Sequence, residues 1–293
     1  MKRIACIGEA MIELSMTDDA AQVGVAGDTL NTAIYLHRTA PSLTVDYVTC
    51  LGDDPFSARI NDFIAREGVG TSAVRTVPGA SPGLYAITTR PDGERSFTYW
   101  RNTSAARQLF DDGDFSVLSS YDAVYLTGIS LAILPHAVRK SLLAWLEASS
   151  ITVIYDSNYR PRLWDSEAHA REITTAFWQR ADIALPSLDD EMALFGETAD
   201  EVIARFNRLS ATGALKRGAA GPISLGIPVE QTYQRASTVV DTTGAGDSFN
   251  GGYLGCYFLG LEHFACLEFG HLYGSCVVGS RGAIIGSVDF SAE

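Results

Sequence analysis

The sequence predicts a three-layer α/β/α fold with a mostly parallel central sheet and a small additional β-sheet. Short apolar runs alternate with longer helical segments over most of the 293 residues, as in a parallel sheet with helices on both faces. Two aromatic, β-branched segments within 84–101 break this alternation and predict a hairpin. Hydrophobic residues make up 46% of the chain, enough for one large core. We therefore expect one domain over 1–293.

The predicted elements follow one another in a regular order. An apolar strand at the N-terminus ends at Gly8, and an alternating, half-exposed strand follows it. Further apolar runs predict strands, and segments of helical periodicity separate them. Strands are expected at 3–8, 11–16, 45–51, 123–126, 151–155 and 183–185, and helices at about 27–36, 56–66, 136–148 and 249–261.

The charge balance argues against two classes of partner. The formal net charge is −13, which is unfavourable for binding nucleic acid or an anionic membrane. The five cysteines are odd in number and lack a Cys-x2-Cys pair, which is typical of reduced core residues in a cytoplasmic protein. Glu9 and Glu13 interrupt the first apolar segment, so neither a signal peptide nor a membrane span is expected there.

A glycine-rich stretch before the last long apolar runs carries the strongest chemical signal. Gly244 and Gly246 lack a Cβ, so the loop can turn tightly and expose its backbone N–H groups. A helix that begins near Asp247 adds unpaired N–H groups and the positive end of its dipole. Gly244, Ala245, Gly246 and Asp247 therefore predict a phosphate-binding nest. The Asp247 carboxylate at its mouth could take a proton from an attacking hydroxyl.

An ordinary helix cap is the competing interpretation, because Gly and Asp are common just before a helix. The preceding Thr-Thr pair and the Ser-Phe-Asn-Gly-Gly continuation after Asp247 make the string more specific than a cap. Two common nucleotide motifs are absent. No Gly-x4-Gly-Lys-Ser/Thr sequence occurs, and Phe249 stands where a dinucleotide fingerprint needs its third Gly.

Polar residues at the ends of other predicted elements are further candidates. Asp28 and Asn31 lie three apart near the start of a helix and share one face. Asp156, Asn158 and Arg160 alternate directly after a strand, where doubly wound sheets place ligands. The alternatives are a capped, solvated turn for the first pair and a charged surface loop for the second group.

The predicted hairpin carries an aromatic face. Tyr99 and Arg101 point to the same side of one strand, and Tyr85 joins them across the pair. A turn rich in Pro, Asp and Gly is expected at 90–94. Sheet packing alone is the alternative for such a strand. An Arg on this face offers a planar fork to a carboxylate, which a neutral ligand would not need.

The stretch 241–252 resembles the C-terminal signature of the ribokinase-like carbohydrate kinases, the PfkB family. The resemblance extends over nearly the whole chain, from Gly8 to Ile284. It implies a ribokinase-like fold with β-lid segments at about 11–25 and 74–102. It also implies Mg²⁺- and ATP-dependent phosphoryl transfer to a sugar hydroxyl, with Asp247 as the catalytic base and 244–247 as the anion hole.

Two further strings, 95–107 and 156–164, resemble the branch of this family that phosphorylates the sugar acid 2-keto-3-deoxygluconate at its 6-hydroxyl. The resemblance implies that Gly27 and Asn31 hold sugar hydroxyls, and that Arg160 meets the acid or the moving phosphoryl group. The implied substrate-binding residues are Gly27, Asp28, Asn31, Tyr85, Tyr99, Arg101, Asn102, Asp156, Asn158, Arg160 and Asp247.

The segment 215–222 resembles the family's nucleotide-binding strand and turn. The residues expected at the nucleotide are Ser187, Lys216, Gly218, Gly221, Thr243, Gly244, Gly246 and His271. Where the family has Asn-x2-Glu to order a Mg²⁺-bound water, this chain has Ser187 and Asp190, with Glu191 as a second candidate carboxylate. The turns at 239–242 and 281–284 resemble those that bind a monovalent cation such as K⁺ in some members.

Two other functions stay open at this point. One is a kinase of the same family that acts on a neutral sugar such as fructose or ribose. The other is a sugar- or nucleotide-binding regulator without catalysis, against which the carboxylate of Asp247 argues. The expected partners are a small sugar acid and ATP, and an exposed edge of the lid sheet predicts a homo-oligomer.

Overall fold

The computed structural model describes residues 2–16, 20–89 and 95–286. Within them the chain forms two sheets and nine α-helices. The strands are β1 Arg3–Ile7, β2 Met11–Met16, β3 Ala21–Ala26, β4 Thr44–Leu51, β5 Val74–Thr76, β6 Gly83–Thr89, β7 Arg95–Trp100, β8 Ala123–Thr127, β9 Thr152–Asp156, β10 Ile183–Ala184, β11 Thr212–Leu215 and β12 Ile223–Leu225. The helices are α1 Asp28–Thr39, α2 Pro55–Arg66, α3 Gly128–Ile133, α4 His136–Ala148, α5 Glu167–Arg180, α6 Leu188–Phe195, α7 Ala199–Phe206, α8 Ala245–Phe258 and α9 His263–Val278.

The larger sheet forms the middle layer. Its strands are ordered β12-β11-β10-β9-β8-β1-β4-β5. Neighbouring strands are parallel, except that β12 runs antiparallel to β11 at one edge. The parallel strands therefore all turn their carboxyl ends to the same edge of the sheet. The mostly parallel sheet predicted from the sequence is confirmed.

Alternate residues of the central strand show that helices cover both faces of this sheet. Ile4 and Cys6 of β1 pack with apolar side chains of α1, α2, α8 and α9. Ala5 and Ile7 pack in a separate cluster with side chains of α3, α4, α5 and α7. All four are at most 1% exposed. Successive residues of a strand point to opposite faces, so β1 contributes to two cores, and the three-layer prediction is confirmed.

The smaller sheet has the order β3-β2-β6-β7. The predicted hairpin is confirmed, because β6 and β7 pair in antiparallel register with Tyr85 opposite Tyr99. Glu13 lies opposite Tyr85 on the other side, so the three side chains share one face. The second lid segment expected from the resemblance, 74–102, belongs only in part to this sheet. Its first strand, Val74–Thr76, pairs in parallel with β4 and extends the larger sheet.

Two expected segments fall outside the described residues: the turn at 90–94 and residues 17–19 of the first lid segment. Four of the five cysteines, Cys6, Cys50, Cys256 and Cys266, are buried free thiols, in line with their interpretation as core residues. Within 2–16, 20–89 and 95–286, no helix combines the length and the apolar character that a membrane span requires.

Candidate active site

Functional side chains from distant parts of the chain meet at the carboxyl edge of the larger sheet. The N-termini of α1 and α8 also lie there, because Asn31 Nδ2 in the first turn of α1 donates to Asp247 Oδ2 in the first turn of α8 over 2.8 Å. Arg101, directly after β7, donates to Glu9, two residues after β1, and so brings the smaller sheet to the same edge. This is where open parallel sheets bind ligands.

The glycine-rich stretch forms a turn that leads into α8. Gly244 has a left-handed backbone with φ of 76°, and a Cβ there would lie 2.7 Å from Ala283 Cα. No side chain caps the helix, and the first turn closes when Ser248 N donates to Gly244 O over 2.8 Å. Within the described chain, the backbone N–H groups of Gly246 and Asp247 have no acceptor. Two free amides at the positive end of a helix form an anion-binding nest.

A tyrosine of α1 holds the loop that packs against this nest. Tyr35 Oη donates to Ala283 O over 2.9 Å and accepts from Ile285 N over 3.0 Å. The Tyr35 side chain is fully buried. Because Ala283 packs against Gly244, the Tyr35 hydroxyl holds the loop that forms one wall of the nest.

The Asp247 carboxylate is the candidate base. Burial, and then the nearby carboxylate of Asp28, raise the pKa of Asp247 from about 3.8 to about 7. The Asp156 carboxylate raises this pKa further, whereas the Asn31 hydrogen bond and the Lys216 ammonium lower it. A carboxyl group with a pKa near 7 is matched to proton transfer at neutral pH.

Helix α1 orients Asp247 and adds a free acceptor beside it. Thr32 Oγ1 donates to the backbone carbonyl of Asp247 over 3.2 Å, next to the Asn31 contact. Asn31 Oδ1 is buried and has no hydrogen-bond partner in the described chain. Buried polar atoms are nearly always paired, so this oxygen is a natural acceptor for a ligand hydroxyl.

Lys216 lies between the nest and the end of β9. Its Nζ donates to Asp156 Oδ2, and to Asn250 Oδ1 over 3.0 Å. Asn250 Nδ2 also donates to Asp156 Oδ2 over 2.7 Å. A Cβ built on Gly246 would be 3.8 Å from Lys216 Nζ, so the ammonium group lies next to the nest. Asp156, expected at the substrate, is thus engaged in holding this cation.

Asp28 is held by two partners from neighbouring strands. Asp28 Oδ2 accepts from Thr127 Oγ1 over 2.6 Å and from Asn158 Nδ2 over 2.8 Å. Asn158 has a φ of 30°, in the left-handed region that is uncommon for residues other than Gly. Its N–H donates to Asp156 Oδ1 over 3.1 Å, which stabilises this backbone conformation. The unusual backbone directs the Asn158 amide to Asp28.

Arg101 does not present a free fork. Its Nε donates to Glu9 Oε2 over 2.8 Å, and its Nη2 donates to the same oxygen. The Arg101 and Glu9 side chains are 6% and 1% exposed. Nη1 has no acceptor among the described residues. A buried carboxylate of the protein therefore occupies one edge of the guanidinium that the sequence analysis offers to a ligand carboxylate.

The aromatic face of the smaller sheet also carries a carboxylate. Tyr85 Oη donates to Glu13 Oε2, and burial together with that carboxylate raises the pKa of Tyr85. The Tyr85 ring stacks on Tyr99 at 5.5 Å between centroids. Tyr99 is 50% exposed, and Asn102 is also exposed. Tyr85 therefore stays protonated and donates to Glu13, while Tyr99 offers an open ring to the solvent.

The sequence analysis missed the roles of Glu9 and Glu13. Glu13 stands in an alternating strand, opposite Tyr85 on one face, so its position could have been recognised from the strand period. Glu9 lies outside a regular element, and its contact to Arg101 joins residues 92 positions apart. A close approach also explains Gly27, because a Cβ there would lie 2.3 Å from the carbonyl oxygen of Glu9.

The expected metal segment divides into a cleft residue and a core residue. Asp190 Oδ1 accepts from Arg160 Nη1 over 3.3 Å, and burial raises the pKa of Asp190. Glu191 instead points into the core, where it accepts from Trp178 Nε1 over 3.3 Å and from Arg205 Nη2 over 2.8 Å. Glu191 is therefore excluded as a second metal-site carboxylate.

Within the described residues, no group of three or more His, Cys, Asp or Glu side chains could hold a metal ion. Mg²⁺ in kinases is commonly held by one or two carboxylates, water molecules and the phosphates of the nucleotide. The partly buried Asp190 carboxylate fits a metal ion that arrives with a nucleotide. It does not fit a permanent site formed by protein ligands alone.

Two other parts of the expected nucleotide site, the turn of Gly218 and Gly221 and the ring of His271, meet at Tyr233. A cavity of about 650 Å³, lined in part by Arg217 and Tyr233, lies beside the turn that starts at Gly218. Gly221 has a φ of 75°, and a Cβ there would lie 2.3 Å from the Tyr233 ring. His271 Nε2 is 2.8 Å from Gln234 O, and its ring lies 5.0 Å from that of Tyr233.

Two further residues expected at the nucleotide, Thr243 and Ser187, make contacts with Asp241 and with Lys216. Thr243 donates through its N and Oγ1 to Asp241 Oδ1, over 3.1 and 2.7 Å. Gly282 N donates to Asp241 Oδ2 over 2.8 Å, so this carboxylate joins the two turns expected at a monovalent cation. Ser187 precedes α6 and forms a parallel bridge with Lys216.

Comparison with known proteins agrees with this fold. A family model described as pfkB family carbohydrate kinase matches residues 1–289. A 2-dehydro-3-deoxygluconokinase of Dickeya dadantii is 42% identical over 302 residues, with 97% of each chain covered. One of Escherichia coli is 41% identical with the same coverage. The crystal structure of a PfkB protein from Polaromonas sp. has a TM-score of 0.79 at 28% identity, with 94% of each chain covered.

The fold and the nest define a carbohydrate-kinase scaffold. The chain belongs to the pfkB family of carbohydrate kinases. Family membership implies ATP and a divalent cation in the reaction.

Proposed function

We propose that this protein transfers the γ-phosphoryl group of ATP to the 6-hydroxyl of 2-keto-3-deoxygluconate. The observation that carries the chemistry is Asp247, a carboxyl group with a pKa raised to about 7 at the mouth of an anion-binding nest. The assignment of the substrate is based on the similar proteins from Dickeya dadantii and Escherichia coli. Both are named 2-dehydro-3-deoxygluconokinase and match over nearly the whole chain.

Proton transfer is assigned to Asp247 and its partner Asn31. The unpartnered Asn31 Oδ1 accepts a hydrogen bond from a sugar hydroxyl beside the base. Asn31 Nδ2 donates to the Asp247 carboxylate and keeps it in place. Asp247 removes the proton of the 6-hydroxyl as the hydroxyl oxygen attacks the γ-phosphorus of ATP and ADP leaves. A positioned base contributes a factor of about 10² to 10⁴ in rate.

The developing charge on the moving phosphoryl group is stabilised by the nest. The free amides of Gly246 and Asp247, and the positive end of the α8 dipole, face the anion. Lys216 adds a full positive charge next to Gly246 and is kept there by Asp156 and Asn250. Preorganised donors of this kind are the main protein contribution to phosphoryl transfer.

The remaining expected residues are proposed around the nucleotide. Bound Mg²⁺ would neutralise negative charge on the nucleotide phosphates. Asp190 is proposed to hold a water molecule of that ion. The base and ribose are proposed to lie along the turn of Gly218 and Gly221, with His271 at the rim. Ser187 and Thr243 are proposed to support the backbone around the phosphates.

The smaller sheet is proposed to act as a lid over the sugar. Tyr85, Tyr99 and Asn102 belong to its cleft side, and the free Nη1 of Arg101 is the proposed contact for the sugar carboxylate. Arg160 is half-exposed beside Asp190 and is proposed to meet the acid or the phosphoryl group. Gly27, Asp28 and Asn158 are proposed to shape the wall of the sugar site from α1 and β9.

A neutral sugar is the second candidate, and one observation favours it. Glu9 already neutralises Arg101 in a buried pair, so the site has no uncompensated positive charge at this point. A fructose- or ribose-like substrate would meet hydrogen-bonding groups without the need for a negative charge. The proposed base and nest would act on such a substrate unchanged.

ADP release with Mg-ATP tests the proposal directly. The panel consists of 2-keto-3-deoxygluconate, its galactonate epimer, fructose, ribose and adenosine. We expect strong preference for the keto acids. Preference for fructose or ribose would overturn the acid assignment and keep the kinase chemistry, and failure with every sugar while ATP binds would favour a binding-only regulator.

We further propose a homo-oligomer in the cytoplasm, assembled through the smaller sheet. Its edge strand β7 exposes Trp100 at 57% and Tyr99 at 50%, and unpaired strand edges commonly find a partner. Light scattering after gel filtration tests this, and a monomer at micromolar concentration would refute it.

A K⁺ requirement is proposed at the joined turns of Asp241 and Gly282. Replacement of K⁺ by tetramethylammonium in the assay tests it, and unchanged turnover would refute it.

A further inference from the structure

The buried pair of Glu9 and Arg101 is unusual for a site that receives an acid. Two donors of Arg101 converge on a single oxygen, Glu9 Oε2. The other oxygen, Glu9 Oε1, is buried and has no hydrogen-bond partner in the described chain. Both side chains are almost fully removed from solvent. The positive charge of Arg101 is therefore matched by a resident negative charge before any ligand binds.

The surrounding backbone is shaped to admit Glu9 at this place. A Cβ on Gly27 would lie 2.3 Å from the Glu9 carbonyl oxygen, and a Cβ on Gly83 would lie 2.6 Å from Glu9 Oε1. Gly27 directly precedes α1, and Gly83 begins β6 of the smaller sheet. A helix that packs on the larger sheet and a strand of the smaller sheet therefore both leave room for Glu9. The pair is thus a built feature of the junction between the two sheets.

The geometry leaves one edge of the guanidinium for a ligand. A guanidinium can bind carboxylates along more than one edge, and here the Nε–Nη2 edge holds Glu9. A ligand carboxylate that meets Nη1 would share Arg101 with Glu9. Two carboxylates on adjacent edges of one guanidinium lie roughly 6 Å apart, and at an effective dielectric constant of about 20 their repulsion corresponds to tenfold or more in affinity.

We infer that Glu9 is a specificity-determining residue that competes with the substrate carboxylate for the charge of Arg101. This inference rests on the proposed function, because it requires a sugar acid as the ligand. Glu9 prevents an uncompensated buried cation in the empty cleft, and it lowers the affinity for the acid at the same time. The acid is then selected by the shape of the free guanidinium edge, with little help from net charge.

The variant Glu9→Gln tests the inference, because the Gln side-chain oxygen can still accept from Arg101 while the negative charge is lost. Calorimetry without ATP measures the affinity for 2-keto-3-deoxygluconate and for its uncharged methyl ester. We expect the acid to bind about tenfold more tightly to Glu9→Gln than to the wild type, with the ester changed less than threefold. Unchanged or weaker acid binding by the folded variant would overturn the inference.

Two controls separate charge competition from a general loss of structure. The first control, Glu197→Gln, removes a carboxylate that accepts from Arg205 Nε over 2.9 Å outside the cleft. The affinity for the acid should not change in this variant. In the Arg101→Gln background, the further change Glu9→Gln should alter acid affinity much less than it does alone. An equal gain in that background would show that Glu9 acts independently of Arg101 and would overturn the inference.

A wild-type measurement covers the case in which Glu9→Gln does not fold. With a resident counter-ion, the wild type should prefer the acid over the methyl ester in binding by less than about tenfold, whereas an arginine without a counter-ion would give a preference of more than about tenfold. Wild-type turnover of the acid, together with a preference of more than about tenfold for binding the acid over the ester, would overturn this inference and leave the proposed function intact. Absence of both acid binding and acid turnover would overturn the two together.

Discussion

The substitution Asp247→Asn removes the candidate base and leaves the nest nearly unchanged. Asn has the same shape as Asp, and its side-chain oxygen can still accept from Asn31 Nδ2. The amides of Gly246 and Asp247 belong to the backbone and are retained. We therefore expect ATP affinity to change by less than about threefold, because the phosphates are bound by groups that the substitution does not touch.

Turnover should fall by a factor of about 10² to 10⁴, the usual contribution of a positioned general base. The wild-type rate should rise with pH and level off above about 7, because Asp247 accepts a proton only in its ionised form and its pKa is raised to about 7. The residual rate of the variant should lose this limb of the profile.

The same substitution should stabilise the fold at alkaline pH. The pKa of Asp247 is higher in the folded state than its ordinary value near 3.8, so ionisation costs stability progressively as pH rises from about 4 to above 7. A rise from 3.8 to about 7 corresponds to at most about 4 kcal/mol. Asp247→Asn should therefore exceed the wild type in free energy of unfolding at pH 8, and the difference should shrink towards pH 5.

The assays are coupled ADP release across pH 5–9 and urea unfolding at pH 5 and 8. Asp62→Asn, an exposed carboxylate of α2, serves as the matched control and should change neither quantity. A turnover within tenfold of the wild type would refute the base assignment. A variant that is less stable than the wild type at pH 8 would refute the burial argument.

Other substitutions test the supporting geometry. Gly244→Ala should reduce turnover more than tenfold, because its Cβ would collide with the neighbouring loop, whereas Gly79→Ala has a similar φ with open space around it and should cost only about 1 kcal/mol of stability. Lys216→Met should lower the free energy of unfolding by about 3 kcal/mol or more, because it leaves the buried charge of Asp156 without its cation. Adding Asp156→Asn should restore most of that stability without restoring turnover, and full recovery of turnover would refute the role of the ammonium at the nest. Tyr35→Phe removes the hydroxyl that holds the loop against the nest, so turnover should fall several-fold with the sugar KM unchanged, as initial-rate kinetics would show.

Features that depend on local backbone chemistry were predictable from the sequence. The turn at Gly244 follows from glycine spacing and from the apolar helix behind it, and it needs no knowledge of distant residues. The hairpin of β6 and β7 follows in the same way from alternation and from a turn-rich segment between two strands. The order of apolar runs was likewise sufficient for the three-layer class.

The tertiary structure decided which charges meet. The sequence contains Arg101 and Lys216 as candidate ligand-binding cations, but the fold pairs them with Glu9 and Asp156, at separations of 92 and 60 positions along the chain. It also buries Glu191 against Arg205 and so removes it from the expected metal segment. Local periodicity specifies which residues lie on a strand, and only the order and register of the strands specify their neighbours across the sheet. Because the strength of a charge depends on its partner and its burial, the electrostatics of the cleft are a property of the assembled sheets.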